Sequence, residues 1–435
     1  MSDVSQQKIQ ANGLRKSGNI EEALPLYKEL WGQTHDAYDG TGLLHCMRKI
    51  KLFDEAVVLA DDLHNKYPDF EWAKNEIIWT YIQGKLNVSN ENTPIQALID
   101  IANQIMSLNP KGLAEKTIVF KVLKSAKSSN HWGIVNEWII KIDPSFLSDA
   151  PISIDNGKEG WSEQAQWYNY RINGLIKEHG SEERLLIESI TLADKAIQLF
   201  PKQRKFFLRL KALSYFQLGS PNEAAEIYNT LCNRVKADWW LLHEYAKVLQ
   251  AQGHDEDALK LMFQAACSYY KLESMVTLFI DIGQLCYKME KYKEARAHLV
   301  LCKYVRESRG WGIPEQITSS INTINQLLKD SGPSSQREAY EICRSEWAQS
   351  IGEEDSRQNL NNKREAKHGL IGKVSSIKVE RPFCFIITSD DSFFCRNSEL
   401  PPSINNGDEV LFDAIPSYDK KKEKESWRAV NIKCR

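Results

Sequence analysis

Three phenylalanines near the end of the chain, Phe383, Phe385 and Phe393, are the residues whose type and spacing most directly suggest chemistry. Phe383 and Phe385 stand two apart in PFCFII, and Phe393 lies in SFFC, where a returning strand would run beside them. Residues two apart on a strand share a face, so the three rings are predicted to line one side of a small sheet. Such a face is either half of a core or a platform for flat bases, worth about 1–3 kcal/mol per stacked base. Arg381 just precedes the rings. The run Lys420, Lys421 and Lys422 is either a solvated loop or a source of phosphate contacts beside them.

The elements that must position these rings are short runs rich in Val, Ile and Phe, GKVSSIKVERPFCFI (Gly372 to Ile386) and SFFC (Ser392 to Cys395). Polar turn residues bound both, as in hairpin-connected strands. The first run resembles the opening strands of a cold-shock domain, with Gly372, Val374, Phe383, Phe385 and Ile386 on matching positions. DSFFC resembles that family's second nucleic-acid motif. Gly407, Val410, Phe412, Ala429, Asn431 and Ile432 resemble its closing strands. The resemblance covers about residues 369–435 and implies a five-stranded OB-like barrel that binds single-stranded RNA or DNA through Phe383, Phe385 and Phe393. Ser376 stands at the family's stacking Trp, Cys395 at its His, and Pro382 and Cys384 at the glycines of the first motif. These departures imply weaker binding or altered preference.

No phosphate loop, zinc-protease signature or nucleophile elbow occurs, and the nine histidines are dispersed, so no catalytic residue, metal or cofactor is expected. Acidic pairs such as Glu21–Glu22 and Asp54–Glu55 fall where helix N-termini favour negative charge. Nine cysteines without a C-x-x-C pair fit small buried hydrophobes in a reducing compartment. A formal net charge of −2 makes no whole-protein electrostatic case for nucleic acid. The N-terminus lacks the apolar core of a signal peptide and no apolar run is long enough to span a bilayer, so a cytoplasmic protein is expected.

From about residue 4 to 330 the chain is helix-patterned and repeats itself. GNIEEALPLYKEL (18–30), KLFDEAVVLADDL (51–63), GSPNEAAEIYNTL (219–231), GHDEDALKLMFQA (253–265) and EKYKEARAHLVLC (290–302) share a turn, an acidic helix start and a small residue. Their alanines, Ala23, Ala56, Ala224, Ala258 and Ala295, recur at neighbouring spacings of 33, 34 and 37 residues. Such a period means stacked helical hairpins, because one hairpin cannot bury its apolar face alone. Prolines follow the second helix at Pro68, Pro110, Pro144 and Pro201. The units resemble tetratricopeptide repeats, whose first helices line a concave face for a protein or peptide. That frame places Lys8, Asn12, Arg209, His243 and Lys247 there, with Lys8 and Asn12 on two positions of the family's carboxylate clamp. Trp161, Trp167, Trp239 and Trp240 begin first helices, as packing between repeats or as exposed anchors.

The expected fold is mainly α: a tetratricopeptide-like helical-hairpin superhelix of seven to nine hairpins over residues 1–330, free of β-sheet. A helix (337–351) and a polar linker fill 331–368, and a small all-β OB-like barrel occupies 369–435. The function this implies is a non-enzymatic adaptor, in which the array binds a protein partner and the barrel contacts single-stranded nucleic acid. The alternative is a protein–protein scaffold whose barrel has lost nucleic-acid binding.

Overall fold

The computed structural model describes residues 3–89, 93–154, 158–178, 182–233, 237–269, 271–358, 367–377, 383–388, 391–401, 404–419 and 424–434. The chain divides into two compact units, Met1–His254 and Asp255–Arg435.

The first unit is a series of helical hairpins: α1 (Asp3–Lys16) with α2 (Ile20–Thr34), α3 (Ala37–Lys49) with α4 (Phe53–Lys66), and α5 (Glu71–Tyr81) with α6 (Ile95–Met106). Then come α7 (Leu113–Ser128) with α8 (Trp132–Ile139), α9 (Glu163–Glu178) with α10 (Glu183–Leu199), α11 (Arg204–Gln217) with α12 (Pro221–Cys232), and α13 (Trp239–Ala251). The repeated alanines explain the close packing: Ala23, Ala56 and Ala224 are fully buried, where a larger side chain would push the second helix away. Several first helices close with a residue at positive φ. In the first hairpin Gly18, at φ 86°, lets the Asn19 N–H reach back to the Leu14 carbonyl, a left-handed cap that leaves no buried orphan carbonyl. Lys51, at φ 66°, takes this role in the second hairpin without glycine's freedom.

Two features depart from the expected regularity. The α5 helix continues into a π-helical turn, Ile82–Leu86. Between α8 and α9 the chain forms a two-stranded ribbon, β1 (Ser153–Ile154) with β2 (Lys158–Glu159), which corrects the expectation that residues 4–330 hold no β-structure. Its two-residue strands leave the helical architecture intact.

The second unit begins with α14 (Asp255–Ser268), α15 (Val276–Lys288), α16 (Tyr292–Ser308) and α17 (Glu315–Leu328). Ala258 and Ala295 are again fully buried. The next helix, α18 (Gln336–Gln358), packs on α14 and α16. It runs past Ile351, where the sequence predicts a polar linker, because the following Glu, Arg and Gln residues are themselves good helix formers. Ala339, Cys343 and Trp347, spaced four apart, supply its buried stripe.

Five strands complete the chain: β3 (Lys367–Ser375), β4 (Phe383–Ile387), β5 (Ser392–Arg396), β6 (Glu409–Asp419) and β7 (Lys424–Cys434). They close as β3-β4-β5-β7-β6, with β3 and β6 sealing the barrel and β5 running parallel to β7. This is the strand order of an OB-like barrel. Val374, Ile386, Val410, Phe412 and Ala429, all positions of the sequence pattern, form its core. Gly372 has a steric reason: a Cβ there would meet Ile386 Cγ2 at 2.7 Å and Phe412 Cε1 at 3.2 Å.

Candidate nucleic-acid interface

Alternation along β4 turns Cys384 and Ile386 inward and leaves Phe383 and Phe385 half-buried on the outer face. The strand register decides which ring of SFFC joins them. Phe385 pairs with Phe394, and Ile386 pairs with Phe393. Phe394 therefore lies outside with Phe383 and Phe385. Phe393, only 1% exposed, packs in the core with its ring 5.1 Å from that of Phe412. This corrects the predicted platform: Phe393 is a core residue and Phe394 takes its place. Both rings were visible in SFFC, but a one-residue shift of parity exchanges the two faces, and only the register settles it.

The outer cluster is tight. The Phe383 and Phe394 centroids are 5.5 Å apart, Phe383 and Phe385 are 6.0 Å apart at 83°, and Phe385 and Phe394 are 6.3 Å apart at 78°. Ser375 of β3 lies opposite Phe385, and the exposed Arg396 of β5 lies opposite Phe383. Next to them on the same face are the exposed Lys373 and its partner Ile387. Across the parallel pair, Arg428 is in register with Phe394 and forms an ion pair with Glu399. The geometry is that of a ring platform with a guanidinium at its edge, which suits stacking on a planar group beside an anion.

Of the other predicted interface residues, Arg381 and Lys420 to Lys422 lie outside the described residues. Ser376, at the resembled family's Trp position, is exposed and has φ 67°. A bulky side chain there is strained, so Ser375 is the better position for a ring beside Phe385. Cys384 and Cys395 face each other across β4 and β5, both fully buried. Burial pushes the Cys395 thiol up to about 12, leaving it a small apolar core group.

The predicted partner-binding residues of the array are all in the first unit, and they are engaged within it. Lys8 of α1 reaches Asp39 of α3 at 2.8 Å, and the hydrogen bond to that carboxylate raises its pKa. The Asn12 side chain accepts from Arg15 at 3.0 Å. Arg209 of α11 is held by both oxygens of Glu244 on α13, which also accepts from Tyr228 Oη at 3.0 Å. Burial alone would lower the Arg209 pKa; the Glu244 carboxylate overrides it and raises it. His243 is buried and Lys247 half-buried on α13, and both have partners inside the protein. Sequence reasoning missed the matching carboxylates. The same device recurs where Arg48 of α3 meets Glu76 of α5 at 2.7 Å. Burial there raises the Glu76 pKa, but His45 and Arg48 bring it below the usual range. Successive first helices are thus stitched by cation–carboxylate pairs, largely withdrawn from water. Among the tryptophans, Trp167 packs between elements, its Nε1 donating to the Ile139 and Ile142 carbonyls at 3.0 Å.

Residues 206–347 match a family model described as a domain of unknown function (DUF7017). No curated protein matches the chain. Among solved structures, a tetratricopeptide repeat protein from Parabacteroides merdae ATCC 43184 is similar, at 13% identity and a TM-score of 0.30. The match covers 63% of this chain and 96% of that one. Among the described residues no helix is long and apolar enough to cross a membrane.

Proposed function

We propose that the protein is a non-enzymatic, cytoplasmic adaptor: its helical hairpins bind a protein partner, and its cold-shock-like barrel contacts single-stranded RNA or DNA. The observation that carries this reading is the outer ring cluster of Phe383, Phe385 and Phe394. Three large apolar rings held half-exposed on one sheet face, with Arg396 opposite Phe383, offer a base both a π-face and a cation for its phosphate. Lys420, Lys421 and Lys422, between β6 and β7, would add salt-dependent, sequence-independent affinity, and Arg381 would extend the cationic edge. On the array, Lys8, Asn12, Arg209, His243 and Lys247 would meet the protein partner by exchanging their internal pairs for the partner's groups. Linking the two sites in one chain raises the effective concentration of one ligand near the other.

The test is fluorescence anisotropy of the full chain with short single-stranded RNA and DNA at low salt. Binding should weaken by roughly 1–3 kcal/mol in Phe385→Ala and again in Phe394→Ala. Absence of binding by the wild-type chain and by Ser375→Trp, with melting unchanged, would overturn the nucleic-acid reading.

A protein–protein scaffold is the second reading, and a specific observation favours it. Ile371 and Leu411 are directly paired on β3 and β6, yet they are 44% and 39% exposed. Aliphatic side chains add little to base stacking and much to a protein contact. Co-purification with and without nuclease separates the two, since a scaffold keeps its partners when nucleic acid is digested.

A further inference from the structure

A cavity of about 610 Å³ opens in the first unit between the start of α6 and the second half of α7. Ile95 and Leu98 form its apolar floor, and Lys121, Lys124 and Ser125 line the opposite side with Ser89. The size is that of a small-molecule site.

Its charge sets it apart from its surroundings. Several cations between helices elsewhere in this unit meet carboxylates: Lys8 with Asp39, Arg48 with Glu76, Lys116 with Glu163, and Arg171 with Glu188, at 2.7–2.8 Å. No carboxylate is among the described residues lining the cavity. Lys121 instead donates to the backbone carbonyl of Ser89 at 3.1 Å, a neutral acceptor, and no carboxylate among the described residues lining the cavity faces it. Lys124, three residues on, lines the same cavity and is exposed. Two ammonium groups one turn apart, beside hydroxyls and above an apolar floor, complement a doubly charged phosphate on a neutral body.

A second, independent feature sits at the same place. The π-helical turn Ile82–Leu86 lies between α5 and this cavity, and the Ser89 hydroxyl donates to the Lys85 carbonyl within it at 3.2 Å. The turn widens the helix just before the segment that supplies Ser89, so the hairpin α5–α6 does not close as the others do. Such single-turn π insertions are frequent at functional sites.

We propose that this cavity binds a small phosphomonoester, its phosphate between Lys121 and Lys124 and its uncharged body against Ile95 and Leu98. The site stands apart from the barrel platform and does not depend on the nucleic-acid reading. A phosphate carried on a lipid headgroup would present the same charge, so the test includes both sources.

The experiment is isothermal titration of the full chain at low salt with glycerol 3-phosphate, glucose 6-phosphate, adenosine 5′-monophosphate and inorganic phosphate. Sedimentation with vesicles containing phosphatidic acid runs beside it. At least one soluble phosphomonoester should bind with a Kd below about 1 mM. That affinity should fall about tenfold or more in Lys121→Gln/Lys124→Gln and stay unchanged in Lys127→Gln. Lys127 is a fit control, because it lies on the same helix but over the Tyr170 ring, 5.5 Å from its centroid. Unchanged circular dichroism in each variant separates lost binding from lost fold. The proposal is overturned if no soluble phosphomonoester reaches that affinity, whether or not the vesicles sediment the protein. It is equally overturned if Lys127→Gln weakens binding as much as the double variant does.

Discussion

Lowering the pH from 7 towards 4 should loosen α18 from α16 through one residue, His298. Its Nε2 accepts from Trp347 Nε1 at 2.7 Å, so the proton sits on Nδ1, which donates to the Glu294 carbonyl at 2.8 Å. Phe263 stacks on the imidazole at 5.7 Å, and Phe279 stacks on Trp347 at 6.0 Å. A second proton has no acceptor in this setting and would displace the Trp347 N–H. Burial accordingly lowers the His298 pKa from 6.5 to about 4. The folded value is depressed, so below 6.5 the opened form binds a proton that the docked form refuses. The stability is therefore complete above pH 6.5 and declines as pH falls towards 4. A shift of that size corresponds to about 3 kcal/mol, or roughly two powers of ten in the opening equilibrium. Glu346 on α18 works in the other direction, because burial and then the Glu294 charge raise its carboxyl pKa. A comparison with His298→Gln, whose amide oxygen can still accept from Trp347, cancels that background. Amide hydrogen exchange over 339–347, corrected for intrinsic rates, reads the local opening. Protection should fall with pH in the wild type about two powers of ten further than in His298→Gln. Parallel pH profiles in the two proteins would refute the reasoning.

Three further outcomes follow from the packing. Phe393→Ala should destabilise the barrel by roughly 3–5 kcal/mol, whereas Phe394→Ala should leave most stability and lose nucleic-acid affinity; equal melting losses would contradict the assigned parity. Gly372→Ala should cost about 1–3 kcal/mol, because its Cβ would overlap Ile386 and the Ile387 carbonyl, and denaturant melts of the barrel would show it. Glu290, a non-glycine left-handed cap at φ 59°, predicts a gain of roughly 0.5–1 kcal/mol for Glu290→Gly, readable as a rise in melting temperature of the helical part.

Much of this architecture was legible because helical repeats write their period in small residues. Ala23, Ala56, Ala224, Ala258 and Ala295 were identifiable by spacing, and all five are fully buried. The prolines after second helices were equally plain: Pro68 lies just past the end of α4, and Pro201 just past the end of α10. The π turn was not, since Ile82–Leu86 carries no signal that sets it apart from the helix before it; residues 148–160 read as a Pro-, Gly- and Asp-rich loop, a composition that does not reveal the pairing of β1 with β2. In the barrel, Val374 and Phe412 were marked by the resemblance to a cold-shock domain, and both are buried in the core. The choice between Phe393 and Phe394 was not legible, because each is one of two adjacent identical rings, and the register that separates them is a property of the paired strands.

The array illustrates a different limit. Lys8, Asn12 and Arg209 were singled out as partner contacts because the tetratricopeptide-like frame puts them on the concave face, with Lys8 and Asn12 on two positions of the resembled family's carboxylate clamp. The structure supplies carboxylates internally: Asp39 for Lys8 and Glu244 for Arg209. Periodicity predicts which face a residue occupies, and charge predicts what it would attract, but neither says whether the attracted group comes from the next repeat or from another molecule. Asp39 is buried and the Glu244 pair is largely withdrawn from water, so removing one partner leaves a charge with little solvent to compensate it. A ligand carboxylate that displaced Glu244 would have to match its two contacts to Arg209 and its bond from Tyr228. Glu244→Gln therefore separates the two roles. If Arg209 serves only packing, the variant loses stability and gains no affinity. If it serves a partner, the variant binds a free carboxyl-terminal peptide more tightly than the wild type does, because the internal competitor is gone.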